Sequence, residues 1–278
     1  MPSYRMRFKA NHSILAAVLL VTFIFPSAVF AQKSKHHVTC KSVIFSDSTK
    51  VKRLYGKNVH GRVLPASTTK VMTALLVMER LKLGEYVTVS SRATLASPSK
   101  IHLKPGEKYK VSELLYAILI NSANDASVAL AEAVAGSEEA FVKMMNARAK
   151  RLGAKHTRFA NSNGLPTKAA QYTTAYDMYL IFREALKRGF FRNAIKLKYK
   201  TIASRAGRKI SLKSHNKILF KGWKQNIYGK TGYTRAARAC FVGTVQKGDS
   251  TLIIAVFGCP KRWEDIKHVV THYGGIAL

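Results

Sequence analysis

The chain has 278 residues, 47% of them apolar, enough for one medium domain or two small ones around a substantial core. Its 47 Lys and Arg stand against 14 Asp and Glu, a formal charge of +33 that implies an anionic surrounding or partner. Three cysteines, Cys40, Cys240 and Cys259, exclude a disulfide lattice, and they form no C-x-x-C pair. The basic residues are spread along the chain, with no basic helix, aromatic–basic interleave or zinc spacing, which argues against a specific nucleic-acid reader.

In chain order, residues 1–31 read as a signal peptide. Arg5, Arg7 and Lys9 precede an apolar run from Ile14 to Phe25, and Val29-Phe30-Ala31 supplies small residues at the two positions a signal peptidase reads. The expectation is an exported protein, periplasmic or otherwise extracytoplasmic, cleaved after Ala31, with an uncleaved N-terminal anchor as the alternative. The apolar run is short for a stable span.

Val38 to Phe45 reads as a strand, followed by a turn at Ser46-Asp47-Ser48-Thr49 and a second strand near Val51 to Tyr55. Pro65 then opens the most apolar helix pattern of the chain, with Gly84 marking its far end. Short strands are expected at Tyr86 to Val89 and on both sides of Pro105-Gly106. Ser112 is read as the cap of a helix from Glu113 to Ile120. Asn121 to Asp125 interrupts it, and it resumes from Ala126 to Ala135 before Gly136. Ser137 and Thr174 are caps of two further helices, closing at Gly153 and about Lys187. The last third alternates as strands at Tyr199 to Ala203, Lys209 to Leu212, Ile227 to Thr234, Ala239 to Val245 and Thr251 to Phe257, with a helix from about Trp263. Strands bracket a helical middle, with no internal repeat or Pro-rich linker. The pattern predicts one α+β domain over 32–278, an antiparallel sheet built from both chain ends with helices packed on it.

Three short stretches carry chemistry. In Ser67-Thr68-Thr69-Lys70 the hydroxyl and the amine are three residues apart, on one face of a helix start, where unpaired N–H groups and the dipole favour an oxyanion. Alone, S-x-x-K is a common accident. Ser122-Ala123-Asn124 at the helix break and Lys230-Thr231-Gly232 on a late strand are each ordinary as a cap and a strand end. Together and in this order they are the motif set of penicillin-binding proteins and serine β-lactamases.

The longer stretches Pro65 to Ala74, Asn121 to Ala126, Asn163-Gly164-Leu165 and Gly229 to Thr234 resemble the D-alanyl-D-alanine carboxypeptidases, the low-molecular-mass penicillin-binding proteins. The likeness covers roughly Val38 to Gly274. It implies a five-stranded antiparallel sheet flanked by helices, with a mostly helical insertion. It implies that Ser67 attacks a terminal D-Ala–D-Ala peptide of peptidoglycan and forms an acyl-enzyme, which penicillins also form as covalent inhibitors. Lys70 is then the base and Ser122 a proton relay. Asn124 holds either the substrate carbonyl or the Lys70 amine. Lys230, Thr231 and Thr234 take the substrate's carboxylate, and the N–H groups of Ser67 and Tyr233 form the oxyanion hole. No metal or other cofactor is required.

Departures are Ala236-Ala237-Arg238-Ala239, where many relatives carry Ala-Gly, and Tyr228, often Gly. The C-terminal β domain and amphipathic anchor of many relatives are not expected. The segment Ala160 to Thr174 lacks the Glu of an E-x-x-L-N deacylation motif, so penicillin hydrolysis is expected to be slow. Two rival readings are an endopeptidase cutting peptidoglycan crosslinks and, in a different class, a non-catalytic protein binding anionic wall polymers. The three cysteines read by default as buried small hydrophobes; a Cys40–Cys259 bridge is the alternative, since Cys40 sits near the start of the first predicted strand and Cys259 at the end of the last.

Overall fold

The computed structural model describes residues 1–3, 6 and 37–278. The chain divides into two units, Met1–Lys35 and His36–Leu278. The signal-peptide segment, residues 1–31, falls in the first and, apart from residues 1–3 and 6, lies outside the described residues.

The second unit is built on a five-stranded antiparallel sheet of order β2-β1-β9-β8-β7. Its strands are β1 (Ser42–Asp47), β2 (Lys52–Lys57), β7 (Tyr228–Thr234), β8 (Arg238–Lys247) and β9 (Ser250–Cys259). The two chain ends meet at its centre, where β1 pairs with β9 from Ser42↔Phe257 to Asp47↔Leu252. On β9, Ile253, Ala255 and Phe257 face one apolar cluster and Leu252, Ile254 and Val256 face another. That is why the segment reads as a continuous apolar run rather than an alternating one. Each of its large side chains contributes roughly 1.5–3 kcal/mol on burial. One edge, β2, is Lys52-Arg53-Leu54-Tyr55-Gly56-Lys57, a basic strand that resists pairing with another chain. The other edge, β7, carries the Lys-Thr-Gly motif.

On one face lie α1 (Lys70–Arg80), α4 (Asn124–Ala135), α5 (Glu138–Arg151) and α6 (Ala175–Ala185); on the other lies α8 (Arg262–Gly274). Every residue of α1 from Lys70 to Val77 is buried, which explains its nearly unbroken apolar sequence. Ser137 caps α5 by accepting from Ala140 N at 3.1 Å, and Thr174 caps α6 by accepting from Asp177 N at 3.0 Å. Gly136 ends α4 with φ +76°. The smaller elements are β3 (Tyr86–Thr88) paired with β4 (Lys108–Lys110), α2 (Ser91–Thr94), α3 (Val111–Tyr116), α7 (Gly189–Ala194), and the hairpin of β5 (Tyr199–Ala203) and β6 (Lys209–Lys213).

Several expectations are corrected. The first strand begins at Ser42, not Val38, because the Thr39 and Cys40 amides turn aside to donate to the Asp265 carboxylate. Helix α1 ends at Arg80, four residues before Gly84. No strand precedes Pro105-Gly106, since the Ile101 and Leu103 amides donate to buried Asp125 instead of to a ladder. Ser112 is not a cap: α3 starts at Val111 after an extended Lys110. It continues as a π-helical turn, Ala117–Asn121. Helix α4 resumes at Asn124 rather than Ala126. Helices α2 and α7 were not foreseen. Among the described residues no helix is long and apolar enough to cross a membrane.

Cys40 and Cys259 form a disulfide that ties the lead-in of β1 to the end of β9. Cys240 is a buried free thiol whose pKa burial pushes up to about 11.

Candidate active site

The loop ending at Pro65 enters a 3₁₀ turn, Ala66–Thr69, which runs straight into α1. This places Ser67 and Lys70 on one face with Lys70 Nζ 3.2 Å from Ser67 Oγ. Lys70 is wholly buried. Its Nζ also donates to Asn124 Oδ1 at 2.7 Å and to the Asn163 carbonyl at 2.8 Å. Gly164 makes the last contact feasible: its φ is +84°, and a Cβ there would stand 1.9 Å from the Ala66 carbonyl oxygen.

Ser122 and Asn124 arrive from the break between α3 and α4. The π-turn ends on Ser122 in the left-handed conformation, φ 64°, uncommon outside glycine and typical of strained functional positions. Asn124 is engaged on both sides: Oδ1 accepts from Lys70, and Nδ2 donates to the Ser97 carbonyl at 2.8 Å. Of the two roles envisaged for Asn124, this geometry is that of holding the Lys70 amine.

Strand β7 supplies the third wall. Lys230 is buried and donates to Ser122 Oγ at 2.9 Å and to the Thr231 carbonyl at 2.8 Å. Gly232 lets the strand approach the 3₁₀ turn, since a Cβ there would lie 3.1 Å from Ser67 N. Thr231 and Tyr233 line the resulting cleft, about 670 Å³ in volume, together with Ser67 and Ser122. Thr234 does not line it. Its hydroxyl accepts from Ala237 N at 3.0 Å in the β7–β8 turn, and its side chain borders a neighbouring hollow with Leu64, Ala66 and Gly164.

Three groups escaped the sequence reading. The Asn163 carbonyl was visible only as part of an Asn-Gly-Leu resemblance without a role. His215 and Arg262 line the same cleft from the segment after β6 and from the start of α8, and no motif surrounds either. Arg262 Nη1 donates to the Gly232 and Cys240 carbonyls at 3.1 and 2.7 Å, while its Nε is buried without a partner.

The electrostatics follow from cations crowded out of water. Burial, and then the nearby Lys230 charge, hold Lys70 well below the usual ammonium range, against weaker opposition from Asp125 and Glu138. Burial and Arg262 lower Lys230 to about 7. Burial lowers Arg262 to about 10. His215 falls to about 4 through burial of its ring and the Lys230 and Lys70 charges.

A sequence profile described as D-alanyl-D-alanine carboxypeptidase, peptidase S11, matches residues 29–261. The chain belongs to this family. It is 38% identical over 258 residues to the D-alanyl-D-alanine carboxypeptidase DacF of Bacillus subtilis, covering 88% of this chain and 65% of the relative. It is 34% identical over 259 residues to DacC of Escherichia coli, covering 88% of this chain and 63% of the relative. The chain thus spans a little under two thirds of the length of these curated relatives. The crystal structure of the Streptomyces K15 DD-transpeptidase matches the fold with a TM-score of 0.79 at 27% identity, over 87% of this chain and all of that one. As in such neighbours, the S11 family fold here is a five-stranded antiparallel sheet with flanking helices.

Proposed function

We propose that the protein is a serine-type D-alanyl-D-alanine carboxypeptidase acting on peptidoglycan peptides. The observation that carries this reading is the environment of Lys70 Nζ. A neutral amine has two N–H groups and one lone pair. Asn124 Oδ1 and the Asn163 carbonyl engage two N–H groups at 2.7 and 2.8 Å, so the lone pair of a neutral Lys70 is left for Ser67 Oγ at 3.2 Å. Burial and the nearby Lys230 charge shift Lys70 toward that neutral form.

In the proposed reaction Lys70 takes the Ser67 proton as Oγ attacks the carbonyl of the penultimate D-Ala. The Ser67 and Tyr233 N–H groups receive the oxyanion. The C–N bond breaks, and Ser122, bonded to Lys230, passes a proton to the departing amine. Water then hydrolyses the acyl-enzyme. The terminal carboxylate is met by the Thr231 hydroxyl and the Arg262 guanidinium, both lining the cleft. The same acylation by a penicillin leaves a stable adduct, because no Glu follows in Ala160 to Thr174 to drive its hydrolysis.

The test is release of D-Ala from a peptide ending in D-Ala-D-Ala, with a fluorescent penicillin as a covalent probe. The wild type releases D-Ala and carries one stable label; Ser67→Ala does neither. A folded wild type that takes no label overturns the reading. Export fits the N-terminal leader pattern, and the +33 charge suits an anionic envelope. Retention on anionic wall polymer should weaken with salt; salt-independent binding would remove that part of the proposal.

A further inference from the structure

A second hollow lies away from the cleft and shares no lining residue with it. It is a crevice of about 310 Å³ between α7 and the helix-covered face of the sheet. Its floor is made by the ends of three strands. Tyr228 of β7 pairs there with Thr244 of β8, and Gln246 of β8 pairs with Thr251 of β9. Leu186 and Ile195, at the C-terminal ends of α6 and α7, form an apolar wall. Arg192 and Lys196 stand exposed at the rim.

The wall is a fixed one. Phe191 of α7 is buried edge-on against Phe182 of α6, with ring centroids 5.5 Å apart. Arg192 Nη1 donates to the Leu186 carbonyl at 2.7 Å, which lays the guanidinium along the lip of the crevice. That leaves its Nε–Nη2 edge, a fork that fits the two oxygens of a carboxylate. Lys196 Nζ lies 5.7 Å from the centre of the Tyr228 ring. The polar side chains of the floor are already engaged. The Thr244 hydroxyl donates to the Leu252 carbonyl at 2.9 Å, and Gln246 Nε2 donates to the Thr251 hydroxyl at 3.1 Å. The rim, by contrast, holds charge that no acid neutralises. Among the described residues neither Arg192 nor Lys196 makes a salt bridge, and no Asp or Glu lines the crevice. The sequence has no acid from residue 185 to 248, a span that supplies every lining residue except Thr251.

An apolar wall, a self-satisfied floor and a doubly cationic rim match one kind of molecule. We propose that the crevice is a binding site for a small amphiphilic anion, a short aliphatic chain ending in one carboxylate. The chain lies against Leu186, Ile195 and the Tyr228 ring, and the carboxylate meets Arg192 and Lys196. The volume, at the low end for ligand pockets, admits one such chain and not a polymer or a diacyl lipid. A neutral head would leave the two cations unanswered, and a cationic head would be repelled. The site goes beyond the carboxypeptidase reading and does not depend on it. Tyr228 precedes Lys230 by two residues on β7, so both face the same side of the strand. An occupant therefore rests on the strand that carries the buried amine.

The experiment is isothermal titration calorimetry of the full chain with octanoate, octan-1-ol and butyrate at neutral pH. Octanoate should bind one-to-one with a Kd of about 0.1–1 mM, the scale for roughly ten ligand atoms. Octan-1-ol has the same chain and no charge, and should bind about five- to tenfold more weakly, the scale of two exposed ion pairs. Butyrate keeps the charge and loses most of the chain, and should bind about a hundredfold more weakly. In the Arg192→Gln/Lys196→Gln variant the advantage of octanoate over octan-1-ol should vanish. The Arg192→Glu/Lys196→Glu variant should reject octanoate and take octylammonium instead. All four substitutions are at the surface, and circular dichroism should report the wild-type fold. Penicillin labelling should be intact in both variants, since neither residue lines the cleft. A wild type that binds no octanoate overturns the inference. So does octanoate binding that neither double variant weakens, which would put the ligand in the catalytic cleft or on the N-terminal leader.

Discussion

A lysine in water stays protonated to about pH 10.4 and is no base at neutrality. Lys70 has no water around it and faces a second buried amine instead. Acylation should therefore rise with pH along the deprotonation of Lys70 and level off well below the ordinary lysine range. Lys230→Gln removes a charge that lowers Lys70, so the rising limb of residual acylation should move to higher pH; an unmoved limb in stopped-flow labelling would show that Lys230 does not tune the base. Lys70→Ala should cost at least about a hundredfold in acylation rate. Circular dichroism should still report a folded chain, though with Asn124 and the Asn163 carbonyl unpaired it should lose about 1–3 kcal/mol.

The same two amines couple stability to pH. Their pKa values are lower in the folded than in the unfolded chain, so the unfolded chain binds more protons between the two. Unfolding free energy should therefore climb from about pH 7, where Lys230 titrates when folded, toward 10.5, its ordinary value. Urea titrations at pH 7 and 9 should show the wild type gaining on Lys230→Met; an equal difference at both pH values would contradict the coupling.

At the scale of elements, the site depends on how closely β7 approaches its neighbours. Gly229 lies opposite Gly243 on β8, and a Cβ at Gly229 would stand 2.1 Å from the Val242 carbonyl oxygen. Gly229→Ala should therefore push β7 outward, withdraw Lys230 from Ser122, and cost about 1–3 kcal/mol in thermal or urea unfolding together with most of the acylation rate. Wild-type stability in this variant would mean that the sheet absorbs the methyl without moving. Gly164→Ala belongs to the same class. It should separate the Asn163 carbonyl from Lys70 and raise the pH at which acylation begins.

The elements also show what sequence could and could not convey. Ser137 and Thr174 were readable as caps because their signal is local, a hydroxyl one turn from the N–H it accepts. Ser112 carried the same local signal and is no cap, because the helix begins at Val111, two residues before the expected Glu113, straight after the extended Lys110. The break after Asn121 was legible as an interruption, whereas the π-turn Ala117–Asn121 before it read as ordinary helix. The left-handed conformation of Ser122 was not legible, since nothing in Asn-Ser-Ala-Asn demands a positive φ there.

Taken whole, the molecule is closed by Cys40–Cys259, which joins residues 219 apart in sequence. Such a link restricts the unfolded chain, and Cys40→Ser/Cys259→Ser should lower stability by about 2–4 kcal/mol. The double variant should nevertheless accept penicillin at 25 °C, because neither sulfur lines the cleft. A loss of labelling in folded double variant would place the bridge in the function rather than in the frame.

By itself the sequence determined the helix-start hydroxyl and amine, the order of the three motifs, and an α+β chain whose ends return to one sheet. Each of these is written in spacing, capping or periodicity within a short stretch. Only the tertiary structure decided that Arg262 and His215 share the cleft, that a backbone carbonyl completes the Lys70 pocket, and that the Thr234 hydroxyl is engaged by Ala237 N. Those depend on burial and on backbone approaches between segments far apart in the chain, and neither leaves a local mark on the residues concerned.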